Sequence, residues 1–546
     1  MSLQLMKLTD KILNEYYGNI VAQVGKMLFE RGSHPLRDIH RLTGLPRSKV
    51  AEALAVLIQH NLVLVEEWRP NIPSYNLLYD RVFLILRFPR YVFLVREQFG
   101  EEGEMVVDVI LKEGQATASH IIVTSCVKLL EASENAAGGS SITSSSYELK
   151  HVTLRNHLIK LIENGFIQRC PSPQTLGKPC PSMSIKEDEL HSFPPELLDL
   201  KALQQEIQAR RAGNTNPDIS HPNTDVLWRI NYERFHVEFR DSEIRNSIHR
   251  RVDPLAGECL GAMLKLSYKT SDPWAPTLNP VSVAEIRDQL KDLKYLNQYL
   301  KILEEQSGGC VQLVGDAGGG QYRLNLANAV NTLTHALIYN IIQDRYGSKA
   351  ARVFRLIHKN SMMEQEQIAE ISMIGKKDAY TLCSRLFRDN FLQLHELRKT
   401  YAPSPANKTI YLFHVDINSV VRNILEWCYK ALYNLIVQRE TRGSENRRLL
   451  EKRTRVDSIV ENLRQSGGTD DQIKEVEEML SPRKKWKERR GNTSLPLVWR
   501  NGRKGEVDEQ IKNDSGLKDE RYACSAVSRL PESGVKSIGD THGVRY

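Results

Sequence analysis

A helical period of apolar residues that runs directly into a short apolar strand recurs four times along the chain. In the first copy, residues 49–68, five apolar positions follow helical spacing, Asn61 breaks the period, and residues 62–65 form an apolar run of high β-propensity. A helix that ends in a tight turn and continues into a strand is the second half of a winged helix. Because the spacing between copies is irregular, the pattern predicts four small domains of one type rather than a solenoid. The other three copies lie at residues 158–167, 296–313 and 379–392.

This periodicity predicts a mainly α fold with small β wings, in which four tandem extended winged-helix domains precede a C-terminal coiled-coil hairpin and a disordered tail. Between residues 420 and 463, narrow apolar seams run along highly charged helices, which is typical of coiled coils. Beyond Ser481 the sequence is polar, is broken by Gly and Pro, and has no periodicity. The expected boundaries are residues 1–85, 86–185, 226–330 and 331–416 for the four winged helices, 186–225 for a linker, 417–480 for the coiled coil and 481–546 for the tail.

The basic balance of the chain is concentrated in the predicted tail. Of the 546 residues, 75 are Lys or Arg and 67 are Asp or Glu, which gives a formal net charge of +8. Residues 482–546 contain 15 of the basic and 9 of the acidic residues, so that 60 and 58 remain in the part expected to fold. A protein that binds DNA on its own usually shows a stronger basic balance. We therefore expect any DNA contact to be local and assisted by partners.

The sequence contains no pattern that indicates an enzyme, a metal site or a membrane span. No apolar run approaches the roughly 18 residues that a span needs. The eight cysteines are scattered, and the closest pair, Cys170 and Cys180, does not make a zinc site, so we expect reduced thiols in a cytosolic or nuclear protein. The Gly-rich segment 315–320 lacks a following Lys-Ser/Thr and lies where a wing should turn. We therefore expect no catalytic residue, no metal and no cofactor.

The third helix of each winged helix carries the remaining functional signal, because this helix enters the major groove in the helix-turn-helix mode of DNA binding. In the first copy its exposed face carries Glu52 and Gln59, which makes it a poor groove reader. In the second and fourth copies, basic side chains can contact phosphates. The alternative is that these side chains lie on solvated faces or protein interfaces. The candidate DNA contacts are Lys150, Arg155, Lys376, Lys377 and Arg385, and the candidate assembly interface along the apolar seam consists of Ile424, Leu432, Leu435, Leu449 and Leu450.

Five local motifs resemble those of the RNA polymerase III-specific winged-helix subunit of the initiation heterotrimer. The runs FPRY and NRRLLEKR are fairly specific, whereas the winged-helix pattern alone is not. The sequence departs from the family after residue 481, where the family continues as a long amphipathic helix. The motifs are GSHPLRDI at 32–39, LIQHNLV at 57–63, LRFPRYVF at 86–93, WRINYERFHVEFRD at 228–241 and NRRLLEKRTRVDSI at 446–459.

The resemblance implies a non-catalytic nuclear subunit that binds the RNA polymerase III core, two smaller heterotrimer subunits and initiation factor IIIB. It also implies weak, partner-assisted contact with promoter DNA at genes for transfer RNA and 5S RNA, docking on the polymerase through the coiled coil, and no cofactor.

Three other functions compete with this interpretation. A free-standing winged-helix transcription regulator would need a basic, self-sufficient reading helix and a steep salt dependence of DNA binding. A general factor like the alpha subunit of factor IIE would need a zinc ribbon, for which the sequence has no four-cysteine set. A scaffold in another large assembly is consistent with the periodicity alone.

Overall fold

A computed structural model describes residues 2–69, 72–137, 144–171, 187–193, 200–211, 226–290, 295–315, 319–397, 410–465 and 476 of the chain. The chain forms two compact units. The first contains the described residues up to Arg234 and those from Leu432 onward, and the second contains Phe235–Ala431. The predicted tail, residues 481–546, lies outside the described residues.

The first winged helix forms from three helices and a three-stranded sheet in the order β1-β3-β2. The sequence fixes its helix ends locally: the Ser2 hydroxyl accepts a hydrogen bond from the Gln4 amide at the start of the first helix. Gly44 ends the helix Leu36–Thr43 in the left-handed conformation, with φ of 69°. One additional helix, Leu3–Tyr17, precedes these three helices. The elements are α1 (Leu3–Tyr17), α2 (Asn19–Arg31), β1 (His34–Pro35), α3 (Leu36–Thr43), α4 (Arg47–Gln59), β2 (Val63–Arg69) and β3 (Ile72–Leu77).

The second winged helix repeats this arrangement with a sheet in the order β4-β6-β5. A connecting helix and a 3-10 turn (Ile85–Arg87) lead into it, and its long first helix breaks at Gly100, where φ is 83°. The elements are α5 (Tyr79–Leu84), α6 (Phe88–Glu113), β4 (Ala116–Thr117), α7 (Ala118–Ala137), α8 (Ser144–Glu163), β5 (Ile167–Arg169), α9 (Glu187–Leu190), α10 (Leu200–Arg211) and β6 (Leu227–Ile230).

The predicted boundaries around the second winged helix differ from the structure. Strand β6 pairs with β4 and β5, so the sheet is completed by residues that the sequence pattern assigned to the third domain. The expected linker, 186–225, is therefore an insertion within the wing. Its helix α10 buries Leu203 and Ile207 and is tied to α7 by a hydrogen bond of 3.1 Å from the Arg210 guanidinium to the Thr124 hydroxyl. Periodicity identifies a strand, but not a pairing partner about 60 residues away in sequence.

A polar junction joins the first two winged helices within the first unit. Asn61, which adopts φ of 57°, accepts hydrogen bonds at its side-chain oxygen from Gln115 (2.7 Å) and Arg229 (3.2 Å). The Gln59 side chain donates to the backbone carbonyl of Glu113 at 3.0 Å. Beside them, Gly114 approaches the backbone of Gln59 so closely that a Cβ would lie 2.6 Å from its carbonyl oxygen. The end of α4 is thereby fixed against the turn that follows α6.

The third and fourth winged helices have the same sheet order, β7-β9-β8 and β10-β12-β11. Four copies of one strand order confirm the repeated fold that the periodicity predicts. The third consists of α11 (Tyr232–Arg251), α12 (Pro254–Ser267), β7 (Val281–Ser282), α13 (Val283–Gln289), α14 (Leu296–Gln306), β8 (Val311–Gly315) and β9 (Gln321–Leu324). The fourth consists of α15 (Leu326–Tyr346), α16 (Ser348–Asn360), β10 (Met362–Glu364), α17 (Gln365–Ser372), α18 (Lys376–Arg388), β11 (Gln393–Leu397) and β12 (Ile410–His414).

Two helices follow the fourth sheet, α19 (Ile417–Glu445) and α20 (Arg447–Gln465). The first half of α19 completes the core of the fourth winged helix, where the rings of Trp427 and Phe391 lie 5.3 Å apart. Its second half belongs to the first unit, in which Lys11 forms a 2.5 Å ion pair with Glu440. On α20, Val456 and Val460 are buried with Val476 packed against them, as in a helical hairpin. Because the first half of α19 lies in the core of the fourth winged helix, the predicted coiled coil begins inside that core.

Candidate interaction surfaces

The third helices of the four winged helices are α4, α8, α14 and α18, and the candidate DNA contacts lie on two of them. Lys150 and Arg155 lie on α8, where both side chains are half-buried. The Nε atom of Arg155 is buried and has no hydrogen-bond partner. Lys376, Lys377 and Arg385 lie on α18 and are exposed. The two groups belong to different compact units, since α8 lies in the first and α18 in the second.

The described part of α8 presents a polar surface. Its exposed residues are Asn156, Lys160 and Glu163, and none of its large apolar side chains between residues 150 and 163 is exposed. Water or phosphate oxygens can contact such a surface without covering any exposed apolar side chain with a charged group.

Helix α18 presents a different surface. Tyr380 and Phe387 lie seven residues apart, on one side of the helix, and are 58% and 46% exposed. On the preceding helix and turn, Ile371 and Met373 are 56% and 88% exposed. Phe387 continues the apolar helical period of the fourth copy, but its side chain is exposed and does not pack in the core. We call the exposed apolar side chains of this helix-turn-helix, Ile371, Met373, Tyr380 and Phe387, together with the polar side chains between them, the α17–α18 surface.

The charged groups of α18 are mainly basic, whereas those of α17 are Glu366 and Glu370. Lys376 forms a 3.5 Å ion pair with Glu366 that is exposed to water, and Arg388 pairs with Asp389 at 3.3 Å. The guanidinium of Arg385 lies 5.9 Å from the centroid of the Tyr346 ring. These contacts are weak because they are exposed, so the cations remain available to a partner.

Tyr346 anchors this region to the fourth core. Its hydroxyl donates a 2.5 Å hydrogen bond to the Asp389 carboxylate. Burial, together with the hydrogen bond to Asp389, raises the pKa of Tyr346, so the phenol keeps its proton and remains a donor. The end of α18 is thus held at a fixed position against α15.

The candidate assembly residues have different surroundings. Ile424 is 4% exposed and lies in the core of the fourth winged helix, so its expected role in an assembly interface is wrong. The error arose because the apolar seam of α19 is continuous, although its first half packs in the core of the fourth winged helix and its second half belongs to the first unit. Leu432 and Leu435 are half-buried on the second half of α19. Leu449 and Leu450 lie on α20, and their side chains fall outside the described part of the structure.

A buried ion pair in the third winged helix had no signal in the sequence. The Arg240 guanidinium donates to the Asp241 carboxylate at 2.9 Å and to the Tyr268 hydroxyl at 2.6 Å, and that hydroxyl donates to Asp241 at 2.8 Å. Arg240 also donates to the carbonyl of Pro273 at 2.8 Å. Burial raises the pKa of Asp241, although Arg240 opposes the shift. Because the charged groups have partners within the chain, this cluster positions the loop after α12.

The described residues contain no cluster that could bind a metal ion, and their cysteines are buried. The six described cysteines are buried and none is in a disulfide bond. Burial raises the pKa of Cys170 to about 11 and that of Cys310 to about 12, which keeps both thiols protonated. Within the same residues, no group of three or more His, Cys, Asp or Glu side chains could hold a metal ion. No described helix is both long and apolar enough to span a bilayer. Cys180 and Cys524 lie outside the described residues.

Comparison with known proteins assigns four stretches of the chain to domains of one RNA polymerase subunit. Residues 7–65 match the RNA polymerase III subunit RPC82 helix-turn-helix domain, and residues 156–333 match RNA polymerase III subunit RPC82. Residues 338–415 match the C-terminal winged-helix domain of POLR3C, and residues 448–485 match the helical hairpin domain of DNA-directed RNA polymerase III subunit RPC3. The matches follow the order of the winged helices and the hairpin described above.

Curated proteins extend this similarity over most of the chain. The DNA-directed RNA polymerase III subunits RPC3 of Bos taurus and Homo sapiens are each 32% identical over 498 residues, which cover 87% of this chain and 91% of theirs. The Danio rerio protein of the same name is 30% identical over 508 residues, or 88% of this chain and 92% of its own. By this similarity, and by the fold that the matched domains share, the chain belongs to the RPC3 family of RNA polymerase III subunits.

Proposed function

We propose that the chain acts in the nucleus within an accessory heterotrimer of RNA polymerase III. As a member of the RPC3 family it is a non-catalytic subunit. In the proposed role it binds two smaller subunits, helps to recruit the polymerase to initiation factor IIIB at genes for transfer RNA and 5S RNA, and assists promoter opening. The observation that carries this proposal is the ordered family similarity from residue 7 to residue 485.

Protein contacts account for most of this function. The near-neutral charge of residues 1–481 supports this, because a protein that grips DNA alone needs a strong positive field. We place a polymerase-binding surface on the C-terminal helices, at Leu432 and Leu435 of α19 and at Leu449 and Leu450 of α20. The exposed side chain of Ile459 on α20 extends this surface.

The contact with promoter DNA is confined to phosphates and is made by α8. Lys150, Arg155 and the exposed Lys160 supply positive charge there, on a helix whose exposed face is polar. Such contacts fix position without reading sequence, and they require partners to supply the remaining affinity. Lys376, Lys377 and Arg385 on α18 have exposed apolar neighbours, which favours a protein partner for that helix.

Native mass spectrometry of the complexes that co-purify with the tagged full chain at moderate salt tests the proposal. We expect the large polymerase subunits together with two small subunits. Leu435→Asp should reduce recovery of the polymerase while circular dichroism remains that of the wild type. Recovery of the chain with DNA alone, free of polymerase subunits, would instead identify a free-standing transcription regulator.

A further inference from the structure

The α17–α18 surface exposes four large apolar side chains within one helix-turn-helix motif. Tyr380 and Phe387 lie on the side of α18 that the sheet and core do not cover, and Ile371 and Met373 are exposed on the preceding helix and turn. Single exposed apolar residues are common on protein surfaces, but a group of this kind on one motif marks an interaction site. In a helix that reads base edges, the same positions usually carry polar and basic side chains.

The turn holds its apolar side chain outward at a cost to the backbone. Met373 ends α17 in the left-handed conformation, with φ of 52°, and is 88% exposed. Glycine adopts this conformation without strain and is the usual residue at such a helix end. Packing within the chain does not explain the methionine, because nearly all of its side chain faces solvent. Met373 therefore contributes to the surface and not to the stability of the fold.

The charge around the surface defines the kind of partner. Helix α18 carries four basic residues and one acidic residue. Lys376 and Lys377 precede Tyr380 by four and three residues and therefore lie beside it on the surface of α18. Within the described part of the chain, Lys377 has no ion pair, and the ion pair of Lys376 with Glu366 is exposed to water. A partner that covers Tyr380 and Phe387 must also face these cations. Carboxylates next to apolar side chains satisfy both requirements.

We propose that the α17–α18 surface binds a protein segment of another polymerase subunit, in which apolar side chains alternate with Asp or Glu. This inference rests on the proposed function, because the partner is a subunit of the same assembly. Phosphate backbone would pair with the cations but would leave Tyr380, Phe387 and Met373 against a charged, hydrated surface. A second copy of the chain would bring Lys376 and Lys377 close to their own counterparts across a two-fold axis, which is unfavourable.

Site-specific crosslinking in the intact assembly tests this inference. The photoreactive residue p-benzoylphenylalanine replaces Tyr380 in the full chain, the polymerase is purified through a tag on one of its large subunits, and crosslinked peptides are identified by mass spectrometry. We expect a crosslink to another subunit, at an apolar stretch with at least two carboxylates nearby. Lys376→Glu combined with Lys377→Glu should reduce the yield of this crosslink about fivefold.

Two further variants separate binding from folding. Met373→Gly removes the exposed side chain and relaxes the backbone, so a weaker crosslink in this variant cannot be attributed to unfolding. Tyr380→Ser combined with Phe387→Ser should reduce occupancy of the site, probed from a photoreactive residue at Thr381, on the order of tenfold. The matched control is Leu313→Ser with Val314→Ser, which removes comparably exposed side chains from β8 and should leave the crosslink unchanged.

Each other outcome overturns the inference. A crosslink to DNA identifies a DNA-binding helix, and a crosslink to a second copy identifies a self-association surface. A crosslink to a segment without carboxylates, or unchanged yield in the charge-reversed variant, rejects the proposed chemistry. If the assembly forms and Tyr380 crosslinks to nothing, only this inference fails. If the wild-type chain does not co-purify with the polymerase, the proposed function fails with it.

Discussion

At the scale of single residues, Met373 shows a local conflict between conformation and side chain. Its left-handed backbone suits glycine, and the side chain gains almost no burial in return. Met373→Gly should therefore stabilise the protein by about 1 kcal/mol, because a left-handed conformation costs a non-glycine residue roughly that amount. Urea denaturation monitored by circular dichroism would measure the change.

Asn390→Gly is the matched control for this substitution. Asn390 adopts a similar left-handed conformation, with φ of 59°, at the end of α18. Asparagine tolerates this conformation better than methionine, so the gain at this position should be smaller. Equal gains at the two positions would show that methionine is no more strained in this conformation than asparagine is.

His60 makes the stability of the first unit depend on pH. Its ring lies 4.7 Å from that of Tyr17, and burial lowers the pKa of His60 below the usual 6.5, although nearby Glu113 opposes the shift. Below pH 6.5 the unfolded chain therefore binds a proton that the folded chain does not, so the free energy of unfolding falls as the pH falls. This contribution to stability is complete above pH 6.5.

His60→Gln should remove this pH dependence. Between about pH 7.5 and about pH 5.5, the wild-type protein should lose more stability in urea denaturation than the variant does, since the other titrating groups are common to both. A variant that loses as much stability as the wild type would indicate that His60 is protonated in the folded protein.

Single residues are also where the sequence predicted the candidate surface least well. Phe387 and Ile371 fit a helical apolar period, and nothing in that period distinguishes a side chain that packs on the core from one that faces a partner. Ile424 shows the opposite error, since its apolar seam continues beyond the core that it completes. The exposure of Lys376, Lys377 and Arg385 on α18 could be predicted from the sequence, because charged side chains are almost always exposed.

At the scale of elements, the junction between α4 and the turn after α6 couples the first two winged helices. Gly114 has φ of 77°, and an added Cβ would lie 2.6 Å from the Gln59 carbonyl oxygen and 2.9 Å from the His60 Cα. Gly114→Ala should destabilise the protein by about 2–4 kcal/mol, because it adds a backbone clash to the strain of a left-handed conformation. The transition midpoint in thermal unfolding would report the loss.

Gly44→Ala separates the strain of the left-handed conformation from the backbone clash. Gly44 is also left-handed, with φ of 69°, but an added Cβ would meet nothing within 4 Å. This variant should lose only the conformational contribution, about 1 kcal/mol. If both variants lose the same stability, the close approach at Gly114 has no energetic consequence.

Elements defined by local pattern were predicted well, and those defined by distant partners were not. The helix-turn-strand repeats gave four winged helices because the period, the turn residues and the wing strands are all close in sequence. Strand β6 was assigned to the wrong domain because its partners β4 and β5 precede it by an insertion. Helix α19 reads as one uniform element, although its two halves belong to different compact units.

At the scale of the whole molecule, charge distinguishes an assembly subunit from an independent DNA-binding protein. The first 481 residues carry 60 basic and 58 acidic side chains, and most of the excess positive charge follows them. Four winged helices thus provide the shape of a DNA-binding fold without the positive field that would make DNA binding strong. This distribution of charge supports the proposal that the repeated fold serves mainly to present surfaces to other proteins.

The salt dependence of DNA binding by the isolated full chain tests this conclusion. Each phosphate contact contributes about −0.9 to the slope of the logarithm of the binding constant against the logarithm of salt concentration. With contacts confined to α8, we expect weak binding and a slope of about −2 to −3 in fluorescence anisotropy with a labelled duplex. Lys150→Glu with Lys160→Glu should flatten the slope further, whereas Lys377→Glu should leave it unchanged. A slope near −6 or steeper would mean that the chain grips DNA alone, as a free-standing regulator does.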